Sequence, residues 1–157
     1  MRALLLLVTF LATGYVIAET GSDDWRKTGS QEEKLNNVVQ VIPSAADIMF
    51  QMGERYRNLY WAGKQGKWEF AQYQTEEMQR LVKTLIITSP KRADTAKVFL
   101  HDAFDGYGKA IKDKDWGKFQ NAFESMRVRC MACHIQNEHA YVELNKLPVK
   151  GNSPVLD

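Results

Sequence analysis

The run Arg129-Cys130-Met131-Ala132-Cys133-His134 holds both cysteines of this 157-residue chain. Its spacing is C-x-x-C-H. On a helix Cys130, Cys133 and His134 fall at i, i+3 and i+4, so two thiols and an imidazole share one face. Whatever that face meets has to engage two sulfurs and a ring nitrogen together.

This spacing is the attachment pattern of haem c. Two thiols are needed because each adds across one vinyl group of the porphyrin, and a histidine directly after the second thiol is placed to reach the iron. Cys130 and Cys133 are therefore expected to carry one covalent haem c, with His134 as a metal ligand. Three other uses of the motif fit less well. A disulfide closing so short a loop stabilises little and leaves His134 without a role. Structural zinc wants four ligands, and outside the motif only His101 and His139 remain, with no second paired motif. A thioredoxin-like redox pair belongs beside a βαβ pattern that the chain lacks.

Upstream of the motif, Trp116, Phe119, Phe123, Met126, Cys130 and Cys133 recur at helical spacing, so the motif continues a core-facing stripe, with Asp115 as its N-cap. Three more stripes precede it. Ser44 with Asp47 three residues on forms a variant capping box that opens a helix of about five turns through Ile48, Met52, Leu59 and Gly63. After Gly63 and Gly66, Trp68, Ala71, Thr75, Met78, Val82 and Leu85 make a second helix ended by Pro90. Ala96, Leu100, Phe104, Tyr107 and Ile111 make a third. Short connections between four amphipathic helices imply antiparallel neighbours. The expected fold class is all-α: an up-down-up-down four-helix bundle with covalent haem in its core and the attachment motif on the last helix.

That domain is expected over 43–147. Before it, 1–18 reads as a signal peptide: Met1-Arg2 gives a positive start and the apolar stretch ends by Ala18, short of the ~20 residues of a spanning helix. Residues 19–42 read as a polar, extended leader whose periodicity is broken by Gly21, Ser22 and Gly29-Ser30. Residues 148–157 form a tail expected to fray, since Pro148, Gly151 and Pro154 stop regular structure. Export implies a periplasmic location, which agrees with haem c attachment outside the bacterial inner membrane. The formal net charge is only +2, one unit of it from Arg2. No basic patch with interleaved aromatics is present, so nucleic acid is not expected as a partner.

With the motif near the C-terminus of a helical chain, the sequence resembles the class II c-type cytochromes, the group containing cytochrome c-prime. Class I cytochromes carry the motif near the N-terminus instead. Trp61-Ala62-Gly63-Lys64 with Trp68-Glu69 and Ala71 also resembles a poorly characterised group of small single-haem proteins. The resemblance implies that His134 is the proximal ligand, that the first helix supplies the distal side, and that a homodimer through outer helix faces is one assembly to consider.

The distal position stays open. Met49 and Met52 are alternative metal ligands, because a thioether raises the haem potential and suits electron transfer. Methionines on helix stripes more often pack, as Met78 and Met126 are read to do. An iron with no protein ligand on that side, or one bound by His101 of the third helix, also fits the sequence; His139, five residues past His134, is expected to rotate away into solvent. Arg55, Arg127 and Arg129 are candidate partners for the haem propionates. Trp61, Trp68 and Trp116 are read as packing. The expected function is one-electron transfer by a periplasmic mono-haem cytochrome, not an enzyme, with transient redox proteins as partners. The runner-up is a five-coordinate haem protein that binds nitric oxide or carbon monoxide. A catalytic haem protein ranks below both, since no distal histidine-arginine pair of peroxidase type can be placed.

Overall fold

Ser44 and Asp47 cap the first long helix as their spacing requires. In the computed structural model, which describes residues 24–150 and 153–156, Asp47 N–H donates to Ser44 Oγ at 3.2 Å. Ser44 N–H in turn donates to Asp47 Oδ2 at 2.9 Å. Two orphan N–H groups are thus satisfied reciprocally. The signal peptide expected over 1–18 lies outside the described residues.

The chain divides into two compact units, Met1–Val41 and Ile42–Asp157. The described part of the first unit corrects the expectation of an extended leader. It holds helix α1, Trp25–Thr28, and helix α2, Gln31–Gln40. Gly29 and Ser30, read as breakers, are caps: Gly29 closes α1, and the Ser30 side chain accepts from Glu33 N–H. Glu32 and Glu33 in the first turn of α2 favour its positive end.

In the second unit the long helices are α3, Ala45–Lys64, α4, Trp68–Thr88, and α7, Trp116–Gln136. Between α4 and α7 the single expected third helix is two, α5, Ala93–Asp102, and α6, Tyr107–Lys112. Residues 103–106 form a turn that ends on Gly106 at φ +84°, a left-handed conformation that glycine adopts without a Cβ penalty. The four-helix up-down-up-down bundle is therefore not the architecture. The apolar stripe concealed the break because four residues of turn occupy about one helical period, so Tyr107, Ala110 and Ile111 resume the burial in phase.

Burial organises the unit around α3, α4 and α7. α3 packs along α4, and both α3 and the α5–α6 pair lie against α7. Ile48, Leu59, Met78, Phe119 and Met126 are fully buried. Tyr60 lies edge-on to Phe123 at 5.1 Å between ring centroids, and Trp61, Trp68 and Trp116 pack at the rim of this core. α3 and α7 come into tight contact at Gly63, where a Cβ would collide with the Phe119 ring. Pro90 ends α4 and opens a 3-10 turn, Pro90–Arg92, leading into α5.

The C-terminal segment is tied down rather than frayed. Tyr56 O–H donates to the Asn145 carbonyl at 2.7 Å and Trp61 Nε1–H to the Pro148 carbonyl at 3.0 Å. Leu156 is buried, and its carbonyl accepts from Gln65 Nε2 at 3.0 Å. No described helix is long and apolar enough to cross a membrane.

Candidate functional site

Asp115 caps α7 by accepting from Lys118 N–H at 3.0 Å, and the helix then runs unbroken to Gln136, carrying Cys130, Cys133 and His134 onto one wall of a cavity of about 470 Å³. α3 supplies Ala45, Met49, Met52, Gly53 and Tyr56, while Met78, Val82 and Leu85 of α4 close the floor. The volume falls within the usual range for cofactor and ligand sites, about 300–1,000 Å³. The lining is mostly aliphatic, aromatic and sulfur-bearing, which favours an apolar guest over a hydrated ion.

The helix ends sharply after the motif. Asn137 N–H bonds back to the Cys133 carbonyl at 3.1 Å, and Glu138 takes a left-handed φ of +65°. The chain reverses, and the Val142 carbonyl comes within 3.4 Å of His134 Nδ1. A carbonyl only accepts, so Nδ1 carries the proton and Nε2 keeps its lone pair. Burial lowers the His134 pKa, which keeps the imidazole neutral. A neutral ring with a free Nε2 is the form that binds a metal.

Both cysteines are free thiols. Burial pushes the Cys130 thiol up to about 12. Burial also raises Cys133, against the opposing pull of hydrogen bonds from Thr95 and Asn137. Asn137 Nδ2 lies 3.6 Å from Cys133 Sγ and donates to Thr95 Oγ1 at 2.9 Å. Thiols so desolvated stay protonated and are poor nucleophiles.

The other sequence-derived candidates separate by position. Met49 is half-buried and Met52 is buried, and both line the cavity. Met78 lines it too, a placement that its stripe alone did not distinguish from packing. His101 is exposed outside the cavity, with Nδ1 2.6 Å from Asp102 Oδ1, a contact that raises its pKa. His139, expected to turn into solvent, lines the cavity, because α7 stops at Gln136 and the helical rotation no longer applies.

Arg55, Arg127 and Arg129 do not line the cavity. Arg55 pairs with Glu77 at 3.2 Å, Arg127 with Glu124 at 2.6 Å, and Arg129 with Asp102 at 3.4 Å. Arg127 also donates to the Leu144 carbonyl at 3.1 Å, which helps hold the returning segment. The arginine on the cavity wall is Arg92, which no motif marked.

Among the described residues no group of three or more His, Cys, Asp and Glu side chains could hold a metal ion. The expectation of a metal-binding chain thus finds no match in a ready-made protein cluster. No family model, curated protein or solved structure matches the chain. The resemblance to the class II c-type cytochromes is therefore corrected. The helix count it implied is overturned by the break at Gly106, and no family match supports it.

Proposed function

We propose that this chain is an exported mono-haem c-type cytochrome that transfers single electrons to and from transient redox partners. The observation that carries the reading is that Cys130, Cys133 and His134 open together onto one apolar cavity that Met49 and Met52 also line.

The residues present fit a haem. A macrocycle brings four nitrogen ligands of its own, so the protein needs one or two axial donors rather than a cluster of three. His134 offers a neutral Nε2, fixed in tautomer by the Val142 carbonyl. Cys130 and Cys133 would hold the group covalently, each thiol adding its sulfur and its hydrogen across one vinyl group with no net oxidation. The bound iron would supply the one-electron couple. Around it, the apolar side chains of α3 and α4 would limit access of water, and a thioether from Met49 or Met52 would raise the potential.

The alternative for the same residues is a five-coordinate iron that binds nitric oxide or carbon monoxide, with Met49 and Met52 serving as apolar packing rather than as ligands. Ferric and ferrous absorption spectra, with and without carbon monoxide, separate the two. A low-spin spectrum with a methionine-to-iron charge-transfer band, unmoved by the gas, supports the carrier. A high-spin spectrum that shifts with the gas supports the gas-binding protein.

A further inference from the structure

The described arginines are almost uniformly committed. Arg26 pairs with Asp24, Arg55 and Arg80 with Glu77, Arg57 with Glu54, Arg127 with Glu124 and Arg129 with Asp102. Arg92 is the exception among them: its guanidinium makes no ion pair or hydrogen bond with a described residue. It is also the arginine that lines the cavity, on a wall otherwise built from Ala96 and Phe99. It is half-buried, so its unmatched charge lies where water is thinned but not excluded.

Its backbone is nonetheless fixed. Arg92 N–H donates to the Ser89 carbonyl at 2.8 Å, and the Arg92 carbonyl accepts from Thr95 Oγ1 at 3.0 Å. That hydroxyl accepts in turn from Asn137 Nδ2, which contacts Cys133 Sγ at 3.6 Å. A chain of hydrogen bonds therefore sets Arg92 in register with an attachment sulfur. A pinned backbone with an uncommitted planar fork is pre-organised for a carboxylate. Glu143, also on the cavity wall, is exposed and makes no ion pair with Arg92.

We propose that Arg92 binds a carboxylate on the edge of the cavity's guest, which under the cytochrome reading above is a haem propionate. The residue replaces Arg55, Arg127 and Arg129 in that role, since their charge is already neutralised. A cation held against a propionate lowers its pKa. The haem potential falls as pH rises through that pKa, because the ionised propionate favours ferric iron.

The test is the reduction potential of the holoprotein as a function of pH, together with the infrared carboxylate bands, for wild type, Arg92→Gln and Arg92→Lys. Arg92→Gln should move the inflection to higher pH by about one unit or more and shift the carboxylate bands. Arg92→Lys should retain part of the wild-type behaviour, as a point charge without the fork. Unchanged profiles in a protein that carries covalent haem would overturn this inference alone. A profile that responds in wild type only to added acetate would overturn it too, by assigning Arg92 to a free anion. Absence of covalent haem from the purified protein would overturn both this inference and the reading beneath it.

Discussion

His134 Nδ1 lies 3.4 Å from the carbonyl oxygen of Val142, eight residues further along the chain. The bond is longer than a typical N–H···O contact of about 2.9–3.0 Å, but a carbonyl partner favours the proton on Nδ1 and leaves the lone pair on Nε2. It exists because α7 stops at Gln136 and the chain doubles back through Glu138 and His139. The same return brings Leu144 to Arg127 and Asn145 to Tyr56. The segment beyond the motif is thus part of the site.

Gly63 and Gly53 sit on the same helix, and one substitution should act oppositely at the two. Gly63→Ala drives a methyl into Phe119 and should destabilise the fold by about 1–3 kcal/mol. Gly53→Ala meets open space and should stabilise the unliganded protein by about 0.5–1 kcal/mol through helix propensity. Urea denaturation of both variants checks the pair; equal effects would show that α3 and α7 do not meet as described.

Met49 and Met52 cannot both be the sixth ligand. Under the electron-carrier reading, one of Met49→Ala and Met52→Ala abolishes the methionine-to-iron charge-transfer band and leaves high-spin ferric iron, and the other preserves the band. Met52→Ala carries an added packing cost of about 2–5 kcal/mol, because Met52 is buried. If both variants keep the wild-type spectrum, neither thioether binds iron.

Glu124 gives a dependence on acid. The Arg127 hydrogen bond holds its carboxyl below the usual glutamate value. A folded pKa below the unfolded one gives stability that is complete above about pH 4.5 and is lost as pH falls through the lowered folded value. The Glu124 side chain is 42% exposed, so solvent screening limits the effect to at most about 1 kcal/mol. Arg127→Gln should flatten this acid limb of a stability-against-pH curve; an unchanged limb would remove the pair from the balance.

Local chemistry was the legible part of this fold. Ser44, Asp47 and Asp115 cap the helices that their spacing announced, since a cap depends on residues three apart. Cys130, Cys133 and His134 share a wall because a helix forces them to. What escaped was set by chain reversals and by tertiary contact. Gly106 breaks the third helix without disturbing the period of its stripe. Gly29 and Ser30 look like breakers but serve as the caps of two helices. His139 was rotated along a helix that had already ended. Arg92 reaches the cavity from the turn after Pro90, and only the pairing of every other described arginine makes it conspicuous.

The covalent link itself is the most direct test. Acid-acetone extraction of the purified protein should leave haem on the polypeptide, and the Cys130→Ala, Cys133→Ala double variant should release it. Haem released from wild type, or retained covalently by the double variant, would contradict attachment through these two sulfurs.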